Sequence, residues 1–254
     1  LDYLGSPLKQ HTLGTANAIA LRFLDFYQPV ADRMARTLIE RGFDPERIVK
    51  IYNGMEFNRP EGEFDRAAYL RETYGAEIEE GDVLCGIAAR LTAVKDIATT
   101  VRGFAEALKT APQLRLFIAG DGEDADMLKK LCDQLGVRER VTFCGWVSPV
   151  MPFFRAMDIN LLSSVSETFP YSILEGVCAG CATICSDVGG MPELIDTGEN
   201  GYIFPVGDDK KLAEYMARLA NDAALRHTFA EALYAKASRD FSKDKMCERQ
   251  EANY

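Results

Sequence analysis

Short apolar runs alternate with amphipathic stretches through the middle of this 254-residue chain. Runs with the length and composition of buried strands occupy residues 83–88, 114–119, 141–144, 159–162 and 182–185. Between the first two runs, Ile97, Val101, Phe104 and Leu108 recur at helical spacing, and Met127, Leu128 and Leu131 do so after the second. Strands that alternate with helices predict an α/β fold with a parallel sheet covered by helices on both faces, a Rossmann-like architecture.

The first 57 residues follow a different pattern. Residues 17–27 and 31–41 have helical periodicity, and Pro29 between them breaks or kinks a helix. Residues 47–52 have the composition of a strand that ends at the turn formed by Asn53 and Gly54. This part does not begin a domain cleanly, which indicates the end of a domain that starts elsewhere.

Residues 166–176 place two carboxylates, Glu167 and Glu175, across a predicted strand-to-helix junction. Pro170 is tolerated in the first turn of a helix, so a helix is predicted from there to about residue 179. Glu167 then precedes the helix and Glu175 lies inside it. A Glu early in a helix also favours the helix dipole without any other role, which is the structural alternative for Glu175.

The start of this predicted helix is a candidate anion site, because its first backbone N–H groups have no partner within the helix. Carboxylates accept hydrogen bonds from hydroxyls, and amides donate to phosphate, so a nucleotide-sugar fits both groups. The candidate binding residues at this helix start are Phe169, Pro170, Tyr171 and Ser172.

The same segment resembles the retaining glycosyltransferases of family 4, whose donor domain carries a Glu-x7-Glu signature. The resemblance continues through residues 176–193, which end in Gly-Gly-Met-Pro-Glu, and it includes residues 86–96 with a spaced Arg and Lys. It also includes Asn53-Gly54-Met55-Glu56. The resemblance implies that Glu175 binds the ribose hydroxyls of a nucleotide-sugar donor and that Glu167 faces the donor sugar.

Arg90 and Lys95 follow the first predicted strand and are the candidate catalytic cations, together with Glu167 as the third candidate catalytic residue. A loop can bring both cations to one point, where they would neutralise the donor diphosphate and the charge that develops on the leaving phosphate. The alternative is a solvated Arg and Lys on a surface loop.

Two further loops are candidate parts of the nucleotide pocket. Gly120 begins a Gly-Asp-Gly turn, which the resemblance places beside the pocket as a tight turn. The acidic residues there would repel a pyrophosphate, so we do not expect a phosphate cradle. Trp146 and Val147 resemble the family loop that faces the base, although Trp146 could equally pack at a strand end. Arg90, Gly120 and Glu167 each follow a different strand, and parallel strands bind ligands at their carboxyl ends.

No metal site and no cofactor are predicted. Asp124 and Asp126 lie where a helix should begin, and there they suit the helix dipole better than a metal-bound diphosphate. The spacing of Cys178, Cys181 and Cys185 suggests a metal site, but no fourth Cys or His is near. We expect buried thiols in a reducing cytoplasm.

Charge and hydropathy exclude other function classes. The net charge of −10 argues against nonspecific nucleic-acid binding, and no apolar run is long enough for a transmembrane helix.

His227 is predicted to lie on a helix surface, and His11 matches no motif. Neither histidine is a candidate catalytic base.

Together these observations predict the donor-binding half of a retaining glycosyltransferase that uses a UDP-, GDP- or ADP-sugar. Residues 1–57 would be the remnant of an acceptor-side domain, and residues 58–254 the nucleotide-sugar-binding domain. The acceptor, a glycan, lipid or small molecule, would bind through the missing domain, and peripheral membrane contact by the full-length protein is left open. The alternatives are a noncatalytic nucleotide-sugar-binding module, or an epimerase or phosphorylase of the same architecture.

Overall fold

The computed structural model describes residues 24–253. A single sheet of six parallel strands lies at its centre, in the order β3-β2-β1-β4-β5-β6. The strands are β1 Val83–Ala88, β2 Leu114–Ala119, β3 Val141–Gly145, β4 Ile159–Leu162, β5 Ala182–Ser186 and β6 Tyr202–Phe204. The five predicted strands are confirmed, two of them with one more residue at the carboxyl end. The three-residue strand β6 was not predicted.

Helices connect the strands and cover the sheet. They are α1 Asp32–Glu40, α2 Arg66–Tyr74, α3 Ile97–Ala107, α4 Ala125–Gln134, α5 Met151–Arg155, α6 Tyr171–Cys178, α7 Met191–Leu194, α8 Asp209–Asn221, α9 Ala223–Asp240 and α10 Lys243–Glu251. Short 3-10 turns occur at Pro45–Arg47, Ala93–Lys95 and Arg138–Arg140. Of the helices between residues 24 and 253, none is long and apolar enough to cross a membrane.

Alternate residues of β2 show that both faces of the sheet are covered. Leu116 and Ile118 belong to a core cluster that contains side chains of α3, α8 and α9. Phe117, between them in sequence, belongs to a second cluster with Phe153 and Phe154 of α5. Successive side chains of a strand point to opposite faces, so helices pack on both sides and the predicted Rossmann-like fold is confirmed.

The segment before residue 57 differs in part from the prediction. The helix predicted at 31–41 is present as α1, but residues 24–27 are not helical, and the rest of that predicted helix, with His11, lies outside the described residues. The Tyr27 N–H donates to the Arg47 carbonyl at 2.8 Å and the Val49 N–H to the Tyr27 carbonyl at 2.9 Å. This pairing uses the backbone groups of Tyr27 that a helix would need. The predicted strand at 47–52 forms an isolated bridge between Ile48 and Tyr27 and does not join the sheet.

Aromatic packing joins this segment to the rest of the structure. The ring of Tyr52 lies 4.6 Å from Phe241 and 5.7 Å from Phe169, measured between ring centroids. Met55 forms a bridge with Ser242, immediately before α10. Residues on both sides of the predicted boundary at residue 57 therefore share one apolar cluster.

Candidate functional site

A cleft of about 270 Å³ opens at the carboxyl edge of the sheet, where the neighbouring strands β2, β1 and β4 end. Its lining consists of the last residues of two strands and of the loops and helix that follow: Ala88, Ala89, Arg90, Lys95, Ala119, Gly120, Trp146, Val147, Val150, Ser172 and Glu175. Seven of the eleven predicted site residues are among them. Ala88, Ala89, Ala119 and Val150 were not predicted; three of them are small residues at or just after strand ends.

Arg90 and Lys95 reach this cleft from one loop. Arg90 follows β1, and Lys95 ends the 3-10 turn before α3. Asp96, the next residue, has a left-handed φ of 43°, and its carboxylate accepts a hydrogen bond from the Thr99 hydroxyl at 2.6 Å. This cap fixes the end of the loop. The Lys95 side chain is only 18% exposed, which argues against a freely solvated surface lysine.

Glu167 contacts the cleft only through Lys95. The Lys95 ammonium donates a hydrogen bond to Glu167 Oε1, and the Ser164 hydroxyl donates to the same oxygen at 2.8 Å. Glu167 itself lines a second, wider cleft of about 600 Å³ between α1 and the loops after β4 and β5, where Arg33 and Asp187 also lie. The Lys95–Glu167 pair therefore stands at the boundary between the two clefts.

Buried hydroxyls hold both members of this pair in place. The Thr100 hydroxyl donates to the Ser163 hydroxyl at 2.9 Å, and the Ser163 hydroxyl donates to the Lys95 carbonyl at 3.0 Å. Ser163 and Ser164 are completely buried at the end of β4. The sequence analysis missed them; the signal was two polar residues directly after an apolar strand.

Glu175 is a half-buried carboxylate on the opposite wall, in α6. Its side-chain carboxylate forms no hydrogen bond or ion pair with any residue between 24 and 253. Burial raises the pKa of Glu175 above its ordinary value of 4.5. An unpaired carboxylate that lines a cleft is available to accept hydrogen bonds from a ligand.

The start of α6 matches the predicted anion site only in part. Pro170 is the N-cap residue, and within the described chain the backbone N–H groups of Tyr171 and Ser172 have no hydrogen-bond partner. Ser172 lines the first cleft, whereas Pro170 and Tyr171 do not. Phe169 as a whole residue is 1% exposed, its ring stacks on that of Phe241 at 5.1 Å between centroids, and it lines neither cleft.

The loops after β2 and β3 form the remaining wall. A Cβ atom on Gly120 would lie 1.8 Å from the Ala89 carbonyl oxygen, so only glycine permits this close approach. Gly120 therefore allows the tight turn that the resemblance implies beside the pocket. Trp146 is 76% exposed, which excludes the alternative that its ring packs at the strand end.

The acidic motif lies at the start of a helix, and the three closely spaced cysteines lie in the core. Asp124 is the N-cap residue of α4 and Asp126 lies in its first turn, as predicted. Cys178, Cys181 and Cys185 are buried free thiols, and burial raises the pKa of each. Among residues 24–253, no group of three or more His, Cys, Asp or Glu side chains is arranged to hold a metal ion.

A protein-family model described as "Glycosyl transferases group 1" matches residues 75–236, more than half of the chain. The chain belongs to this family. The match confirms the resemblance found in the motifs and spans every loop of the first cleft.

Curated relatives agree with membership of the group 1 family, and solved structures share the fold. The N-acetyl-alpha-D-glucosaminyl L-malate synthase of Bacillus anthracis is 29% identical over 185 residues, which are 73% of this chain and 48% of that protein. Crystal structures of Anabaena HepE with UDP and with UDP-glucose superpose with a TM-score of 0.85 at 24% identity, and the first covers 99% of this chain and 70% of HepE.

One group 1 structure contains a C-terminal domain alone, that of LpcC from Francisella tularensis. It has a TM-score of 0.64 and 22% identity, and the match covers 75% of this chain and all of that domain. The present chain spans about half the length of the curated relatives it matches.

Proposed function

We propose that this chain is the donor-binding part of a retaining glycosyltransferase, which transfers a sugar from a nucleoside-diphosphate sugar to an acceptor hydroxyl. The observation that carries the proposal is the composition of the first cleft. An unpaired carboxylate, Glu175, lines it together with two cations, Arg90 and Lys95, at the carboxyl edge of a Rossmann-like sheet. A nucleoside diphosphate carries the complementary groups, hydroxyls and phosphates.

Each part of the donor then has a place. Glu175 accepts hydrogen bonds from the two ribose hydroxyls, and the free N–H groups at the start of α6 face a phosphate. Arg90 and Lys95 bind the diphosphate and stabilise the charge that develops on it as the bond to the sugar breaks. The exposed ring of Trp146, with Val147, lines the base slot. Uracil is the first base to test, since HepE has been crystallised with UDP and UDP-glucose.

Glu167 is assigned to the donor sugar. It lies beyond Lys95 as seen from the first cleft and lines the second cleft, so a sugar attached to the diphosphate would lie between the two. The wider second cleft would receive the acceptor, with the rest of its wall supplied by an N-terminal domain. The retaining outcome rests on the family resemblance.

The domain boundary, metal independence and location belong to the same proposal. Residues 58–254 would form the donor domain, which is consistent with the isolated LpcC domain of similar extent. The charge that a metal would supply comes from Arg90 and Lys95. Seven free cysteines suit a reducing cytoplasm. The acceptor is a glycan, lipid or small molecule.

A thermal-shift panel tests the proposal directly. UDP, GDP and ADP are compared with UDP-glucose, GDP-mannose and ADP-glucose, each with and without EDTA. We expect the nucleotides of one base to raise the melting temperature of the chain, and we expect EDTA to leave this shift unchanged. Absence of any shift would contradict the donor assignment, and an EDTA-sensitive shift would contradict metal independence. Binding without sugar transfer by the full-length protein would favour the noncatalytic module.

A further inference from the structure

Two sequence motifs that do not line the first cleft meet next to Glu167. Asn53 belongs to the Asn-Gly-Met-Glu segment, and Glu193 ends the Gly-Gly-Met-Pro-Glu loop after β5. Asn53 and the glycines of the second motif contact the backbone of Thr168 and Phe169, which directly follows Glu167. Their contacts show what the two motifs do together.

The backbone of residues 168 and 169 is held from two sides. The Asn53 side-chain amide donates to the Phe169 carbonyl at 2.9 Å, and the Gly190 N–H donates to the Thr168 carbonyl at 2.8 Å. A Cβ atom on Gly189, whose φ is 52°, would lie 2.3 Å from the Thr168 carbonyl oxygen. The glycine therefore allows the loop to lie directly against this backbone.

Glu193 anchors that loop to the segment before residue 57. Its Oε1 accepts a hydrogen bond from the Asp32 N–H at 2.8 Å, and its Oε2 accepts one from the Tyr52 hydroxyl at 2.7 Å. Lys50 lies 3.4 Å from the same Oε2 and forms an ion pair with Asp32 at 2.6 Å. The Glu193 side chain is only 16% exposed, so these partners replace water around its carboxylate.

We propose that Asn53 and Glu193 are positioning residues for Glu167. Asn53 binds the Phe169 carbonyl directly, and Glu193 anchors the loop whose Gly190 N–H binds the Thr168 carbonyl. Together they keep Glu167 at Lys95, where the donor sugar is expected. The proposal rests on the proposed function, in which Glu167 faces the sugar. The ribose and diphosphate contacts come from α6 and from the loop after β1, so they depend on this arrangement less directly. Lys95 touches Glu167, but its ammonium has two further donors for a phosphate.

The contact of Glu167 with the donor sugar can be tested separately from the contacts with the nucleoside diphosphate. Titration calorimetry compares the affinities for a nucleoside diphosphate and for its sugar, using the pair that the wild-type chain binds: UDP with UDP-glucose, GDP with GDP-mannose, or ADP with ADP-glucose. The variants are Asn53→Ala and Asn53→Asp, and the matched control is Asn58→Ala, an exposed asparagine whose side chain forms no hydrogen bond within the described residues. Glu193→Gln is a second, independent variant that preserves side-chain shape.

We expect the preference for the nucleotide-sugar over the diphosphate to fall about fivefold to tenfold in the Asn53 and Glu193 variants, the effect of one lost hydrogen bond. The diphosphate affinity and the Asn58→Ala variant should change less than about twofold. In a Glu167→Gln background, Asn53→Ala should cause no further loss of preference, because the residue it positions is already altered.

Each other outcome overturns the inference. An equal loss for both ligands would show that Asn53 and Glu193 only support the fold, and an unchanged preference would show that they do not position Glu167. In both cases wild-type binding would leave the proposed function standing. If the wild-type chain bound none of the three pairs, the proposed function would fail, and the positioning role with it.

Discussion

The ammonium of Lys95 is hydrogen-bonded to the carboxylate of Glu167, and this pair separates two clefts at the carboxyl edge of the sheet. The two side chains are 18% and 11% exposed. A lysine ammonium has three donors, so Lys95 can keep Glu167 in place while it donates to a phosphate. The pair would thereby link the diphosphate end of a donor to its sugar end.

Replacement of either cation is expected to weaken binding of the diphosphate more than that of the nucleoside. Arg90→Ala and Lys95→Ala should each reduce affinity for UDP by about tenfold or more, the loss for one charged hydrogen bond, and leave uridine affinity nearly unchanged. Calorimetry with UDP and uridine measures both. Lys130→Ala, an exposed lysine on α4, is the control. Equal losses for the two ligands would assign Arg90 or Lys95 to the fold or to the base.

Most of the sheet could be predicted from the sequence because β1, β2, β4 and β5 are buried on both faces and therefore appear as short apolar runs. Strand β6 has only three residues, too few to give such a run. The helix predicted through Tyr27 is wrong at residues 24–27 because pairing with residues 47–49, distant in sequence, overrides local periodicity.

The candidate site, like the fold, could be predicted from the sequence only in part. Residues that follow strands, such as Arg90 and Gly120, could be placed from topology alone. Phe169 has the sequence position of a site residue, but its ring packs on Phe241, and no local pattern shows this. The Glu193–Tyr52 hydrogen bond joins residues 141 positions apart, so only the folded chain reveals it.

Glu175→Gln is expected to weaken nucleotide binding and to stabilise the free protein. The carboxylate has no partner among the described residues, and a neutral amide avoids the cost of burying its charge. Affinity for UDP should fall by about 1–3 kcal/mol, the range for removing a charged hydrogen-bond partner. Titration calorimetry and thermal unfolding test the two effects. Wild-type affinity in the variant would contradict the ribose assignment.

The pH dependence of stability gives an independent test of Glu175. Its pKa is raised in the folded state, so the folded protein binds more protons than the unfolded chain between the ordinary value of 4.5 and the raised value. The contribution of this group to the free energy of unfolding is therefore fully present below pH 4.5, and it is lost as the pH rises through the raised pKa. The stability gain of Glu175→Gln should be present at neutral pH and vanish below that window. A gain that does not depend on pH would refute this origin.

The cysteines should differ sharply in reactivity. Burial raises the pKa of Cys85, Cys181 and Cys185, and it raises that of Cys144 to about 12, so their reactive thiolates are scarce. Cys247 is partly exposed on α10. With iodoacetamide at about pH 8, near the ordinary thiol pKa, Cys247 should be modified first, and Cys85, Cys181 and Cys185 only after unfolding. Peptide mass mapping would show the order, and early modification of Cys181 would contradict the burial described here.

A chain that begins at Phe57 tests the proposed domain boundary. All six strands and every residue that lines the first cleft lie beyond this point, so we expect the trimmed chain to unfold cooperatively and to bind UDP. It loses the Tyr52 ring from the cluster with Phe169 and Phe241, which should lower the free energy of unfolding by about 3 kcal/mol or more.

Two measurements on the trimmed and full chains test the boundary at residue 57: circular dichroism during thermal unfolding, and a titration with UDP. The α10 helix also loses its contacts with Gly54 and Met55, so a small decrease in helical signal is expected without loss of the sheet. Since Asn53 is absent, the preference of the trimmed chain for the UDP-sugar over UDP should fall, as in the Asn53 variants. If the cooperative transition disappears, residues 1–57 are an integral part of the donor domain, and the boundary at residue 57 is wrong.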